Sequence, residues 1–264
     1  MKLPFFKYQA TGNDFVILDN REKRFRFTEE QIQTICDRKF GIGADGLMLI
    51  EPDELLDFNL QYFNSDGSQS LCGNGSRAAV CFASSLGLVN GKTTFNAFDG
   101  AHDAELVTNG DVRLKMGDVN EVKRVGADFF IHTGSPHFIR IVEDAEAFPV
   151  YEQGKRIRYS EPYKPGGTNV NFVQCLEDNA IFVRTYERGV ENETLSCGTG
   201  VTAAALAASF HGYKSPVQIK TLGGDLSVEF RFSPSVPGSG QAGTFTDIYL
   251  SGPAKMVFKG ELEL

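Results

Sequence analysis

The chain is 264 residues long, 41% hydrophobic and 23% charged, with a formal net charge of −8. That balance belongs to a folded chain of one large domain or two ordinary ones, and it excludes a disordered polypeptide. No block of Lys and Arg stands out, since Lys23-Arg24-Phe25-Arg26 is short and follows Glu22, so nucleic acid is not an expected partner. The apolar runs are too short to span a bilayer. The N-terminal stretch MKLPFFKYQATGNDF has no signal-peptide h-region and cleavage site, so a cytoplasmic protein without membrane contact is expected.

The first predicted helix is Thr28 to Arg38, opened by a capping-box pattern of Thr28 with Gln31. The next segment, GIGADG at Gly41 to Gly46, matches G-x-G-x-x-G. A dinucleotide site needs that motif after a strand and before a helix; here a helix precedes it and the strand-like LMLIE follows, so a nucleotide site is rejected. FNLQYF at Phe58 to Phe63 reads as a strand, and Gly75 to Leu86 as a helix with a single charge, Arg77. AELVT and VRLKM flank Asn109-Gly110, a hairpin signal. VNFVQCL and AIFVRTY flank Glu177-Asp178-Asn179 as a second hairpin. Gly200 to Phe210 reads as a helix with no charge at all, and SVEFRF and FTDIYL flank a Gly/Ser/Pro-rich loop at Ser233 to Gly243, expected to be mobile. Helices that are small or apolar all round are normally buried, so two central helices wrapped by sheet are expected.

Two segments occur twice. ATGNDFVILD (Ala10 to Asp19) resembles HTGSPHFIRIVED (His132 to Asp144), with offsets of 122 at Thr11/Thr133 and 123 at Phe15/Phe138, one residue being inserted before Phe138. SLCGNGSRAA and SCGTGVTAA align Cys72 with Cys197 at an offset of 125. The repeat predicts two similar domains in tandem, 1–117 carrying Cys72 and 118–254 carrying Cys197. The fold class expected is α+β: two pseudo-symmetric domains from a duplication, each a mainly antiparallel curled sheet around a central helix.

The five cysteines are widely spaced and include no Cys-x-x-Cys pair, and the four histidines form no metal-binding cluster. Neither a disulfide framework nor a metal is expected. Cys36, Cys81 and Cys175 read as small buried hydrophobes. Cys72 and Cys197 differ because each opens a helix, where free N–H groups and the helix dipole favour thiolate. The glycines that follow leave N–H groups open to a carboxylate. Two such thiols suit removal of a proton from one face of a carbon and its return to the other, with the roles exchanged in reverse.

TGNDF (Thr11 to Phe15), FNSDGS (Phe63 to Ser68), CGNG (Cys72 to Gly75), GSPH (Gly134 to His137), GTNV (Gly167 to Val170), YERG (Tyr186 to Gly189) and ETLSCGTG (Glu193 to Gly200) together resemble the diaminopimelate epimerase family over essentially the whole chain. The resemblance implies cofactor-independent interconversion of LL- and meso-2,6-diaminopimelate, which feeds lysine and peptidoglycan synthesis. It implies Cys72 and Cys197 as the acid/base pair, with His137 and Glu187 tuning the thiols and helping to move protons. His137 is expected to take a proton from a thiol near neutral pH. Gly73, Asn74, Gly198 and Thr199 are implied as donors to the reacting carboxylate. Asn13, Asn64, Asn169, Glu187 and Arg188 are implied as readers of the rest of the substrate, and Arg188 suits a bidentate grip on the distal carboxylate. Gly46 stands where many relatives carry Gln, and Ser135 where many carry Asn, so contacts at these two substrate-site positions are altered. The Asn64–Cys72 loop is one residue shorter than usual, and the segment before Cys197 one longer. The last strand, 255–264, is implied to return to the first domain, and the site to lie in the cleft between domains. The partner expected is a small amino acid; a homodimer is compatible with the resemblance. Other readings are a proline or hydroxyproline racemase on the same fold, a thiol redox sensor, and a non-catalytic amino-acid binder.

Overall fold

The computed structural model describes residues 2–234 and 243–263. The loop expected at 233–243 therefore lies almost wholly outside the described residues. The chain divides into two compact units, Met1–Leu114 with Gly252–Leu264, and Lys115–Ser251.

The first unit runs β1 (Lys2–Ala10), β2 (Asn13–Asp19), α1 (Glu29–Cys36), β3 (Gly46–Glu51), β4 (Phe58–Asn64), α2 (Gly73–Ser85), β5 (Lys92–Ala97), β6 (Gly100–Leu106) and β7 (Val112–Lys115). Its sheet follows chain order. β1 pairs antiparallel with β2, β2 parallel with β3, β3 antiparallel with β4 and β4 parallel with β5. β5–β6 and β6–β7 are antiparallel hairpins. The last strand of the chain, Lys255–Glu263, adds antiparallel to the free edge of β1.

The second unit runs β8 (Val122–Val125), β9 (Asp128–His132), β10 (Pro136–Ile141), α3 (Val150–Arg158), β11 (Asn169–Cys175), β12 (Ala180–Glu187), β13 (Asn192–Thr194), α4 (Gly198–Ser209), β14 (Val217–Thr221), β15 (Gly224–Pro234) and β16 (Gly243–Gly252), leaving Lys255–Glu263 as β17. β8–β9 and β9–β10 are antiparallel, β10–β11 parallel, β11–β12 antiparallel and β12–β14 parallel. β14–β15 and β15–β16 close the series as antiparallel hairpins. The order of parallel and antiparallel pairs is the same as in the first unit, with β8 in the place of β17. Both sheets are mainly antiparallel and carry two parallel steps, each bridged by a helical crossover.

Strand alternation assigns one helix to each sheet face. In the first unit Val16, Leu18, Leu47 and Leu49 pack with Ile32 and Ile35 of α1. In the second, Phe138, Val170, Phe172 and Tyr186 pack with Val150 and Ile157 of α3. The other faces carry α2 and α4, buried along nearly their whole lengths. Each sheet thus has a central helix, as expected, and a second helix on the opposite face.

Helix α3 was not legible in the sequence because VYEQGKRIR holds a central glycine. The glycine is there for contact: a Cβ on Gly154 would sit 2.4 Å from the Tyr186 Cβ. The α1 capping box forms as predicted, Gln31 N–H donating to Thr28 Oγ1 at 3.3 Å and Thr28 N–H to Gln31 Oε1 at 3.0 Å. GIGADG lies between α1 and β3, the wrong order for a nucleotide loop. Helices α2 and α4 each begin two residues earlier than predicted, directly after the cysteine.

One sequence match is corrected. A Cβ on Gly75 would meet Met48 Cε, and one on Gly200 would meet Asn171 Oδ1, so Met48 and Asn171 are equivalent. The registers then make Gly46 equivalent to Asn169 and, through their β2 and β10 partners, Phe15 equivalent to His137. Phe15 does not match Phe138, which is the equivalent of Val16 and faces α3 as Val16 faces α1; the shared Phe misleads by one residue, and one residue reverses the face.

Candidate active site: two cysteine half-sites

Cys72 and Cys197 are the N-cap residues of α2 and α4, with almost the same backbone angles, φ −128 and ψ 109 against φ −124 and ψ 112. An extended N-cap places its side chain over the first free N–H groups of the helix. The Cys72 sulfur accepts from the Gly75 N–H at 3.3 Å. Small residues at the next helical turn let both helices settle close to their sheets, Gly75 over Met48 and Gly200 over Asn171.

In the first half-site, Asn13 Oδ1 lies 3.6 Å from the Cys72 sulfur and 3.4 Å from Asn74 Nδ2. The orientation of Asn13 is fixed from behind, since its Nδ2 donates to Asp45. Asp45 also accepts the Asp14 N–H at 3.2 Å and Arg38 at 2.7 Å. Asp14 in turn receives Arg38 at 2.7 Å and the buried Lys7 at 2.8 Å. Burial raises the pKa of Asp14, but bonds and charges from Arg38 and Lys7 outweigh it and hold the carboxyl at about 2. Arg77 is fully buried, donating to Thr11 Oγ1 at 3.2 Å. Burial pulls it down to about 10, opposed first by the charge of Cys72. Asn64 Nδ2 donates to Ser68 and Ser70 hydroxyls at 3.0 and 3.1 Å. Gly46 is buried in β3 between β2 and β4.

The second half-site is a continuous polar network. Thr199 Oγ1 is 3.5 Å from the Cys197 sulfur and 2.9 Å from His137 Nε2. Ser135 Oγ is 2.9 Å from the same nitrogen and 3.1 Å from Thr199 Oγ1, and accepts from Asn169 Nδ2 at 3.2 Å. On the far side of the ring, Asn171 Nδ2 is 3.1 Å from His137 Nδ1 and donates to the Phe138 carbonyl at 3.1 Å. Its Oδ1 accepts from Thr185 at 2.9 Å. With Nδ2 so committed, His137 Nδ1 accepts and Nε2 carries the proton. Burial, with the charges of His132 and Arg188, pulls His137 down to about 3. At neutral pH the ring is therefore uncharged, which corrects the expectation that it takes up a proton there.

Of the remaining sequence-named residues, Glu187 accepts from Thr194 at 2.8 Å. The exposed Arg188 donates its N–H to Asn169 Oδ1 at 2.8 Å. Cys36, pushed up to about 11 by burial, is no nucleophile. Burial also raises Cys81. Sequence reading missed Asp45, Asp14 and Arg38, which orient Asn13, and Asn171 and Thr185, which orient His137. Asp45 sits inside the rejected GIGADG motif, and Asn171 two residues past Asn169; both were visible only as strand and loop residues.

Among the described residues, no group of His, Cys, Asp and Glu is placed to hold a metal ion, and no helix is long and apolar enough to cross a membrane. A family model described as "Diaminopimelate epimerase" matches residues 5–122 and 129–235. The chain is 46% identical over 263 residues to a diaminopimelate epimerase of Flavobacterium psychrophilum, covering 98% of this chain and 99% of that protein. It is 40% identical over 283 residues to one of Aquifex aeolicus, covering 98% of each. Among solved structures it resembles a Bacillus anthracis phenazine biosynthesis protein of the PhzF family, with TM-score 0.75, 15% identity and full coverage of both chains. It also resembles a hydroxyproline epimerase of Agrobacterium vitis, with TM-score 0.65, 14% identity, and coverage of 100% of this chain and 93% of that one. At such identities the structural matches speak for the fold alone. The duplicated fold, the two cysteine N-caps and the full-length matches lead to one conclusion: this chain belongs to the diaminopimelate epimerase family.

Proposed function

We propose that this chain interconverts LL- and meso-2,6-diaminopimelate by two-base proton transfer at the α-carbon, supplying lysine and peptidoglycan precursors. The observation that carries the reading is the matched pair of cysteine N-caps, one on the central helix of each unit. One thiolate removes the α-proton, and the other thiol delivers a proton to the opposite face, so the centre inverts. Reversal exchanges the two roles, and the pair titrates as a unit. Charge that develops on the α-carboxylate is met by N–H groups of Gly73, Asn74, Gly198 and Thr199 at the two helix starts. Asn13, Asn64, Asn169, Glu187, Arg188 and Ser135 bind the rest of the amino acid, whereas Gly46, buried beneath the Tyr62 ring, is closed to it. His137, through Thr199, holds the hydrogen-bonding state of Cys197. Thiols perform both proton transfers, so the reaction calls for no cofactor. The reading includes a cytoplasmic location and a homodimer, tested by fractionation and sedimentation.

The test is α-proton exchange in D₂O by fully reduced protein, given LL-diaminopimelate and, in parallel, proline. Deuterium at the α-carbon together with meso product, lost in Cys72→Ala and in Cys197→Ala, is the expected result. Exchange in proline alone would replace the substrate, and exchange in neither would overturn the reading.

A further inference from the structure

The two half-sites are equivalent in topology but not in chemistry. Equivalent positions hold Phe15 and His137, Met48 and Asn171, Gly46 and Asn169. The strand pairs Met48–Tyr62 and Asn171–Thr185 extend the correspondence to Tyr62 and Thr185. In the second unit, the Thr185 hydroxyl feeds a polar chain through Asn171, His137 and Thr199 to the Cys197 sulfur. In the first unit, Phe15 and Met48 break that chain. The only hydroxyl at these positions is the Tyr62 phenol.

Tyr62 is buried on β4 and meets Phe15 edge-on, with ring centroids 6.1 Å apart. Its ring covers Gly46: a Cβ there would lie 2.5 Å from Tyr62 Cε2, 2.9 Å from its Oη and 2.6 Å from the Phe63 carbonyl. Its strand partner Met48 reaches beneath Gly75, where a Cβ would stand 2.6 Å from Met48 Cε and 3.5 Å from the Cys72 sulfur. The β3–β4 pair therefore lies under the turn that carries Cys72. Burial, followed by the charges of Cys72 and Asp45 and a hydrogen-bonding approach to the Cys72 thiol, drives the phenol's own ionisation strongly upward. It stays protonated, and so remains a donor, throughout the working pH range.

We propose that Tyr62 is a positioning residue for Cys72: its phenol O–H donates to the sulfur and favours the thiolate, doing in one step what Thr185, Asn171, His137 and Thr199 do for Cys197. It also accounts for glycine at residue 46, since the aromatic ring and the Phe63 carbonyl occupy the space of a side chain. Other charged and titratable groups that bear on this sulfur include Arg77 on α2 and, through Asn13, Asp45; Cys36, on α1 at the opposite face of the sheet, adds a smaller charge effect on the phenol. The proposal rests on the reading above only in treating Cys72 as an acid/base group.

The experiment is alkylation of the full chain by iodoacetamide from pH 5 to 10, with the Cys72 and Cys197 peptides followed separately by mass spectrometry. Tyr62→Phe keeps the ring over Gly46 and removes the donor. The expected result is a Cys72 midpoint about one unit higher, or about tenfold less thiolate below both midpoints. The Cys197 profile should be unchanged and α-proton exchange lowered to a similar extent. An unchanged Cys72 profile, or one that moves together with Cys197, would overturn the proposal. Wild-type sequence grown with 3-fluorotyrosine, a stronger donor, reads the same bond without a substitution and should move the Cys72 midpoint down; no movement there would count equally against it. Alkylation needs no substrate, so a wild-type protein inactive on diaminopimelate would defeat the functional reading and leave this test intact.

Discussion

Cys197 and His137 do not touch; the Thr199 hydroxyl stands between them, 3.5 Å from the sulfur and 2.9 Å from the imidazole Nε2. A neutral ring that gives its Nε2 proton to a hydroxyl leaves that hydroxyl's own proton for the sulfur. A hydroxyl proton so directed favours thiolate at Cys197.

Thr199→Val removes this hydroxyl but keeps the backbone N–H that binds carboxylate. It should lower α-proton exchange by about 10- to 100-fold, with Thr199→Ser near wild type. Equal activity in Val and Ser variants would exclude this role of the hydroxyl.

His137 also ties stability to pH. Its folded pKa, about 3, is far below its ordinary 6.5. Between those values the unfolded chain binds a proton that the folded chain refuses. Stability is therefore full above pH 6.5 and falls as pH drops toward 3, by at most about 1.4 kcal/mol per pH unit. His137→Gln should flatten that slope in urea unfolding between pH 7 and 5, even though it removes hydrogen bonds.

Asp14 behaves as a depressed carboxylate, at about 2. Its contribution is present above the ordinary carboxylate range and is lost as pH falls from about 4 through 2. Asp14→Asn should cost about 2 kcal/mol at pH 7, leaving Lys7, whose side chain is only 7% exposed, without its ion-pair partner. Chemical denaturation at pH 7 checks the size. The gap from wild type should narrow at low pH.

Asp45→Ala releases Asn13 from its fixed orientation. Since Asp45 lies one residue removed from the chemistry, exchange should fall about tenfold with little change in thermal midpoint relative to Asp14→Asn. A variant with full activity would show that Asn13 needs no backing.

Gly75→Ala and Gly200→Ala separate the half-sites by packing. The new methyl at 75 meets the mobile end of Met48 at 2.6 Å, whereas at 200 it meets Asn171 Oδ1 at 2.5 Å. Asn171 is pinned by Thr185, His137 and the Phe138 carbonyl. Overpacking costs about 1–3 kcal/mol. Gly200→Ala should sit at the upper end and disturb His137, while Gly75→Ala stays mild; thermal melts and exchange rates of the two variants compare them.

The sequence by itself determined the duplication, the mainly antiparallel sheets, the two central helices and the cysteines at their starts. Those features are written in local pattern: alternating strands, helices of small residues, and a Cys-Gly-x-Gly turn whose chemistry follows from its neighbours in the chain. The tertiary structure alone decided which side chains back the reacting groups. Asp45 reaches Asn13 across 32 positions, and Asn171 reaches His137 across 34, through strand registers that no local pattern sets. A shared Phe misaligned the second repeat by one residue, and only the sheet showed which face Phe15 and His137 occupy. The histidine's charge state was likewise out of reach of the sequence, because burial, not residue type, moves an imidazole from 6.5 to about 3.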